Sequence, residues 1–287
     1  MDHRSFWLIT GDGLRLHARD YAADEAADGG VAVLCLHGLT RNAADFDDLA
    51  ARLSPRYRVV VMEQRGRGDS DYDRDPANYQ VGTYVQDAMA LLDAMELDRP
   101  VLIGTSMGGL MSMVMGSTAP QRFRGIVLND IGPVVEPAGV ERIRGYVGRG
   151  GPIADWDDAV RATRANNETA FPGLGDAEWL AFAKRLFREE PDGGLRAAYD
   201  PAIAEPMNAD STSAVPADLW TVFEALSDLP MLLIRGALSD ILSARTTEEM
   251  ARRHPHLEYV EVADRGHAPL LDEPEAVAAI EGFLARL

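Results

Sequence analysis

The stretch Val101-Leu102-Ile103-Gly104-Thr105-Ser106-Met107-Gly108-Gly109 decides the fold, because it joins a short apolar strand to a helical segment through a G-x-S-x-G turn. A serine on such a sharp strand-to-helix turn leaves no room for side chains two residues before and after it, and glycine occupies both positions. The turn is expected to place the Ser106 hydroxyl at the N-terminus of the helix, where backbone N–H groups can stabilise an oxyanion. The sequence therefore predicts a serine nucleophile at position 106.

Apolar strands alternate with helical segments on both sides of this turn. The chain opens with a predicted hairpin over residues 5–21, whose Gly-Asp-Gly turn supplies the positive φ of a tight connection. Continuous apolar strands are typical of a parallel sheet that is buried on both faces. The predicted parallel strands cover residues 31–36, 58–62, 101–103, 126–128, 231–234 and 257–262, and the clearest helices cover 79–97, 107–119 and a segment that starts at Pro274. This pattern indicates a doubly wound α/β sheet.

The alternation stops between Ile131 and about Trp220, where no convincing strand is found. Several helix-like pieces and most of the tryptophans lie in this segment, and the strand pattern resumes at Met231. The sequence therefore predicts a helical cap inserted at residues 131–220, with residues 1–130 and 221–287 forming one core.

Composition excludes several classes of function. With 28 basic and 46 acidic residues the net charge is −18, which repels nucleic acid and anionic membrane surfaces. Cys35 is the only cysteine, so neither an intramolecular disulfide nor a cysteine-based zinc cluster is expected. No signal-peptide pattern precedes the first strand, and we expect a cytoplasmic protein without a metal or organic cofactor.

Four motifs in chain order resemble the α/β-hydrolase fold family, and more closely its capped esterase, lactonase and carbon–carbon hydrolase members. The motifs are His37-Gly38 after an apolar strand, Gly104 to Gly109 around Ser106, Gly236-Ala237-Leu238-Ser239-Asp240, and Asp264-Arg265-Gly266-His267-Ala268-Pro269. The resemblance covers nearly the whole chain. It implies a mostly parallel eight-stranded sheet with helices on both faces and an inserted helical cap.

A catalytic serine needs a base and a carboxylate that orients the base. His267 follows the last strand in a glycine-containing loop, which is where the family order of serine, acid and histidine places the imidazole. Asp240 matches the usual acid position of the family. Asp130, at the end of the strand over residues 126–128, is the alternative, since some family members take their acid from that place.

The resemblance also implies an oxyanion hole formed by the backbone N–H groups of Leu39 and Met107. His37 is expected to brace this loop and not to act as a second base. The turn Gly66-Arg67-Gly68-Asp69-Ser70 resembles a structural turn of the family, and it lacks the third glycine of a dinucleotide-binding motif.

These residues predict a serine hydrolase that cleaves a small-molecule ester or lactone, with Ser106, Asp240 and His267 as the catalytic triad. One alternative is a hydrolase of carbon–carbon bonds in diketo acids, which a basic cap pocket would favour. The candidate basic residues for such a pocket are Arg142, Arg144, Arg149 and Arg164. A second alternative is a small-molecule receptor built on the same fold.

Overall fold

A computed structural model describes residues 3–21, 30–151, 153–191, 193–208 and 218–287. Met1 and Asp2 of the predicted N-terminal segment, and residues 152, 192 and 209–217 of the predicted insertion, lie outside the described residues.

The centre of the described structure is an eight-stranded sheet with the strand order β1-β2-β4-β3-β5-β6-β9-β10. Strand β2 runs antiparallel to both of its neighbours, and the remaining pairs are parallel. The strands are β1 (Arg4–Ile9), β2 (Arg15–Tyr21), β3 (Ala32–Leu36), β4 (Arg58–Met62), β5 (Val101–Thr105), β6 (Gly125–Asn129), β9 (Met231–Gly236) and β10 (Leu257–Val262). This sheet confirms the expected mostly parallel, eight-stranded architecture.

Helices cover both faces of the sheet because its central strands are apolar on both sides. In β3, Leu34 and Leu36 belong to one hydrophobic cluster, whereas Val33 and Cys35 belong to the cluster on the opposite face. The first cluster includes side chains of α2 (Val81–Ala94), α3 (Met107–Thr118), α8 (Leu219–Glu224) and α9 (Ala244–Arg253), and the second includes those of α1 (Asp47–Leu53) and α10 (Pro274–Leu284). Strands buried on both faces therefore fit the continuous apolar runs of the sequence.

The pairing register brings three strand ends together at one edge of the sheet. Leu36 of β3 lies opposite Gly104 of β5, and Thr105 of β5 lies opposite Asn129 of β6. The chain segments that begin at His37, Ser106 and Asp130 therefore leave the sheet side by side. This edge is where ligands bind in open α/β sheets.

Most of the chain between β6 and β9 is helical. It contains α4 (Pro137–Tyr146), α5 (Trp156–Asn167), α6 (Asp176–Leu186) and α7 (Ala204–Asn208). The expectation that this segment has no strand is wrong, because β7 (Phe187–Glu189) and β8 (Leu195–Ala197) form a short antiparallel pair. Strands of three residues are too short to give a recognisable alternation.

Three aromatic side chains of this segment pack on one another. Trp179 and Phe182 stack with ring centroids 6.0 Å apart, and Phe171 meets Phe182 edge-on at 5.2 Å.

The described helices include none that is long and apolar enough to cross a membrane.

Candidate active site

Ser106 occupies a strained turn between β5 and α3. Its φ is +52°, in the left-handed region that non-glycine residues rarely adopt. A Cβ on Gly104 would lie 2.3 Å from the Gly108 carbonyl oxygen, and a Cβ on Gly108 would lie 1.9 Å from the Leu36 carbonyl oxygen. Only glycine fits at these two positions, as the motif predicts.

Ser106 and His267 are within hydrogen-bond distance. Nε2 of His267 lies 2.8 Å from the Ser106 Oγ, and Nδ1 of the same ring lies 2.7 Å from the Asp130 carboxylate. With the Nδ1 proton donated to Asp130, Nε2 is free to accept the Ser106 proton. The three side chains thus form a continuous path from the hydroxyl to a buried carboxylate.

Asp130 directly follows the last residue of β6. It is fully buried, and its φ is +56°. Its carboxylate also accepts a hydrogen bond from the Gly236 N–H at 2.9 Å and one from the Ser239 hydroxyl at 2.6 Å. These hydrogen bonds fix the direction of the Asp130 carboxylate.

The expectation that Asp240 contacts His267 is corrected by the structure. The Asp240 carboxylate is bound by Arg142 of α4 through two hydrogen bonds of 2.6 and 2.9 Å. Burial acts to raise the Asp240 pKa, but the hydrogen bonds and charge of Arg142 outweigh it and lower this pKa below the ordinary value. The alternative carboxylate, Asp130, makes the contact with His267 because β6 lies directly beside the strand that leads to Ser106.

The loop after β3 lies against the serine. A Cβ on Gly38 would be 3.8 Å from the Ser106 Cβ, and the next residue, Leu39, lines the same cavity as Ser106. Met107 follows Ser106 as the first residue of α3, where helix geometry leaves its N–H without an intrahelical acceptor. The role of the Leu39 and Met107 N–H groups as oxyanion donors stays a prediction.

His37 contacts this loop from inside the protein. Its Nδ1 donates to the Gly38 carbonyl oxygen at 2.8 Å, and its Nε2 accepts the Gln64 N–H at 3.3 Å. Burial lowers the pKa of His37 to about 4, so the ring is neutral at neutral pH. Because the C=O and N–H of a trans peptide point in opposite directions, binding the Gly38 oxygen also orients the Leu39 N–H.

A cavity of about 540 Å³ opens above Ser106 and His267. Its walls are formed by the sheet edge and by the segment between β6 and β9, and they are largely apolar. Apolar and aromatic lining residues include Leu39, Ile143, Tyr146, Phe171, Phe182 and Leu270. A cavity of this size and character suits a small organic molecule.

Of the four arginines considered for a basic pocket, only Arg149 lines the cavity. Arg142 is bound to Asp240, Arg144 to Glu141 and Arg164 to Asp176. The other charged residues of the lining are two ion pairs, Arg41 with Asp45 and Arg196 with Glu190. Arg149 has no carboxylate partner among the described residues, and the lining therefore has an excess of positive charge in an acidic protein.

A separate cluster of potential metal ligands lies at β2 and β4. Ligand atoms of His17, Glu63 and Asp69 lie within 4.8 Å of one another. Within the cluster, His17 Nδ1 is hydrogen-bonded to Glu63 at 2.9 Å, and the Glu63 carboxylate also accepts the N–H groups of Ala43 and Asp69. These contacts satisfy the carboxylate and connect β2 to the turn after β4.

Sequence reasoning missed the residues that surround the triad. Ser239 stands one residue before Asp240 in the motif after β9, and its hydroxyl binds Asp130. Arg142 and Asp240 are 98 residues apart, and no local pattern marks such a pair.

Comparisons with known proteins agree with this architecture. A sequence profile described as the alpha/beta hydrolase family matches residues 33–280. The 3-hydroxybutyrate-oligomer hydrolase of Cupriavidus necator is 35% identical over 88% of this chain and 87% of that protein. The 2-(acetamidomethylene)succinate hydrolase of Mesorhizobium japonicum is 27% identical over 89% of this chain and 88% of that protein.

Among solved structures, an alpha/beta hydrolase from Novosphingobium aromaticivorans is 46% identical and superposes with a TM-score of 0.94. The match covers 99% of each chain. Since the family profile spans most of the sequence and the fold agrees from end to end, this chain belongs to the alpha/beta hydrolase family and is a hydrolase.

Proposed function

We propose that this protein hydrolyses a small-molecule carboxylic ester or lactone through an acyl-enzyme, with Ser106, His267 and Asp130 as the triad. The observation that carries the proposal is the unbroken hydrogen-bond path from Ser106 Oγ through His267 to Asp130. This arrangement can generate a serine nucleophile at neutral pH.

In the first half of the reaction, His267 Nε2 removes the Ser106 proton as Oγ attacks the substrate carbonyl carbon. The negative charge on the carbonyl oxygen is stabilised by the N–H groups of Leu39 and Met107. Protonated His267 then gives its proton to the departing alcohol oxygen, and Asp130 stabilises the imidazolium. The products of this half are the free alcohol and an acyl group on Ser106.

In the second half, water takes the place of the alcohol. His267 removes a proton from the water, which attacks the acyl carbon, and the same proton returns to Ser106 Oγ as the carboxylic acid leaves. We further propose that residues 131–220 act as a cap that supplies the outer wall of the cavity and selects the substrate.

The preferred substrate class within this proposal is an ester that also contains a free carboxylate. Two observations support it. The relative at 35% identity is named for hydrolysis of 3-hydroxybutyrate oligomers, which are linear esters ending in a carboxylate. Arg149 lines the cavity without a carboxylate partner among the described residues, and a guanidinium binds a carboxylate through two parallel hydrogen bonds.

The test is a substrate panel on the wild type and on Ser106→Ala. The panel contains p-nitrophenyl butyrate, a linear 3-hydroxybutyrate trimer, a γ-lactone, the matching amide and a vinylogous diketo acid. We expect multiple turnovers of esters, with a loss of about 10⁴-fold or more in Ser106→Ala. Retained ester activity in that variant contradicts the proposal, and turnover of the diketo acid alone would assign carbon–carbon hydrolysis.

A fluorophosphonate probe separates an enzyme from a receptor. The wild type should be labelled on Ser106 and should turn over the preferred ester many times. Labelling with only a single, stoichiometric turnover on every ester would indicate a receptor that keeps the triad.

A further inference from the structure

Arg67 is a completely buried arginine in the turn after β4. Its neighbour Arg65 is ion-paired with Asp12, Asp73 and Asp87, as a buried guanidinium normally is. Within the described ranges, none of the ion pairs includes Arg67. A buried charge without a counterion is unfavourable, so its surroundings must supply other stabilisation.

Neutral groups surround the Arg67 guanidinium. Nη1 donates to the Arg65 carbonyl oxygen at 2.7 Å and to the Tyr84 hydroxyl at 2.9 Å. The guanidinium also lies over the Tyr84 ring at 4.7 Å and the Tyr79 ring at 5.5 Å from their centroids. Carbonyl dipoles and ring faces stabilise a cation without cancelling its charge.

The remaining two nitrogens of Arg67 are directed at the active site. Nε donates to the Leu39 carbonyl oxygen at 2.9 Å, and Nη2 lies 3.9 Å from the Met107 sulfur. Leu39 and Met107 are the two residues whose N–H groups are assigned above to the oxyanion. One buried cation therefore contacts both residues of the proposed oxyanion hole, Leu39 through its carbonyl oxygen and Met107 through its side chain.

We infer that Arg67 is a positioning residue for oxyanion stabilisation, an inference that rests on the proposed function. Its Nε binds the Leu39 carbonyl oxygen, one peptide further along the loop than the Gly38 carbonyl oxygen that His37 binds. Because no carboxylate neutralises it, the charge of Arg67 makes the electrostatic potential more positive at the place where the substrate carbonyl is attacked by Ser106. In a buried site such a preorganised charge acts on the oxyanion with little screening.

Three acidic side chains from the elements around Arg67 have other hydrogen-bond partners. Asp87 is bound by Arg65, and Glu63 is bound by His17 and by the N–H groups of Ala43 and Asp69. Asp200 accepts a hydrogen bond from the hydroxyl of Tyr79 at 2.6 Å, and the ring of Tyr79 lies beside Arg67. No carboxylate among the described residues thus pairs with Arg67, and in this proposal its charge acts on the oxyanion of the transition state.

Arg67→Met and Arg67→Lys test this inference. Methionine keeps much of the side-chain length and removes the charge, whereas lysine keeps the charge and loses the fixed fork of donors. We expect kcat on the preferred ester to fall by about 10²-fold in Arg67→Met, the loss typical of one oxyanion donor, and by less in Arg67→Lys. KM should change by less than a factor of about three, since ground-state binding is not affected.

Arg58→Met is the matched control. Arg58 also donates to a backbone carbonyl, that of Met95, but it lies at the opposite end of β4 and pairs with Asp20. This variant should keep wild-type kcat even if its melting temperature falls as far as that of Arg67→Met.

The affinity for an alkyl boronic acid gives a second measurement, which would not change if Arg67 had a purely structural role. Its tetrahedral adduct with Ser106 places a negative oxygen at the oxyanion position, so its affinity should fall in parallel with kcat in Arg67→Met. Affinity for the carboxylic acid product should stay unchanged. Unchanged kcat and unchanged boronate affinity in a folded Arg67→Met protein would overturn the inference.

If Arg67→Met does not fold, Arg67→Lys decides the question through the same two measurements. We then expect losses of about tenfold in kcat and in boronate affinity. Wild-type values of both in Arg67→Lys would overturn the inference.

The rate of fluorophosphonate labelling keeps this test separate from the proposed function. If the wild type is not labelled at Ser106, the proposed function fails and the role of Arg67 fails with it. If the wild type is labelled and Arg67→Met is labelled equally fast, only the role of Arg67 is rejected.

Discussion

The Asp130 carboxylate accepts the Nδ1 proton of His267 at 2.7 Å, although a second aspartate follows the neighbouring strand in the motif that the family resemblance favours. Asp240 instead forms a two-bond ion pair with Arg142 of α4. The two carboxylates thus have different partners. Asp130 is bound inside the core, whereas Asp240 joins the core to the segment above the cavity.

Replacement of these aspartates by asparagine should separate their roles. Asp130→Asn should lower kcat/KM by about 10⁴, because an amide no longer holds His267 in the tautomer that accepts the Ser106 proton. Asp240→Asn should cost less than about tenfold, since it leaves His267 and Asp130 in contact. Steady-state kinetics on one ester measures both, and the opposite ranking would return the acid role to Asp240.

The hydroxyl of Ser239 should contribute through Asp130. Ser239→Ala removes a 2.6 Å hydrogen bond to the carboxylate, and it also removes an acceptor for the N–H groups of Ile241 and Leu242. We expect kcat to fall by about tenfold, because a hydrogen bond to a charged group is worth about 1.5 to 3 kcal/mol. Ser239→Thr keeps the hydroxyl and should recover most of the rate, whereas equal rates in wild type and Ser239→Ala would show that the bond is dispensable.

Arg149 should distinguish a free acid from its ester. Arg149→Gln is expected to raise KM for the 3-hydroxybutyrate trimer by about tenfold, because a bidentate contact to the terminal carboxylate is lost. The trimer methyl ester has no carboxylate, so its KM should not change.

Arg144→Gln is the control for Arg149, since Arg144 pairs with Glu141 on the same helical segment and does not line the cavity. Equal effects of Arg149→Gln on both trimers would mean that Arg149 does not bind the carboxylate.

Stability should depend on pH through His37. Burial lowers its pKa to about 4, below the ordinary value of about 6.5, so the folded protein binds a proton on this ring less readily than the unfolded chain. The neutral ring therefore contributes full stability above about pH 6.5, and this contribution is lost as the pH falls toward 4, by about 3 kcal/mol in total.

Urea unfolding at about pH 7, 5.5 and 4.5 measures this effect. His37→Gln should remove that part of the pH dependence, while His254, whose pKa is also lowered by burial, contributes equally to both proteins. Parallel pH profiles for wild type and His37→Gln would contradict the assignment.

The fold was largely predictable because the central strands of the sheet are apolar and buried, and because apolar residues recur in the strands at its edges. The predicted strands at 58–62 and 257–262 coincide with β4 and β10, and the last helix begins at Pro274 as expected. Helices α1 and α9 were not predicted, since α1 has only 7 residues and Met250 is the one large apolar side chain of α9. The β7–β8 pair escaped notice because three residues do not establish a period.

Within the site, predictability depended on how local the signal is. The serine turn is specified by glycines within two residues of Ser106, so the sequence alone marks it. The carboxylate that binds His267 depends on which strand end lies nearer to the imidazole in space. The sequence pattern does not distinguish the two candidates, because both Asp130 and Asp240 follow a strand. The pairing of Asp240 with Arg142, and of Arg67 with Leu39, depends on chain segments that meet only after folding.

Asp130 is also the residue at which the chain leaves the sheet to form the outer wall of the cavity. The side chains of the proposed triad and the proposed oxyanion donors all lie at or before this exit or after the chain has returned at β9. Residues 137–208 can therefore be exchanged for the corresponding segment of a relative without replacing any group that makes or breaks a bond. Such an exchange would change the range of substrates and leave the proposed catalytic residues unaltered.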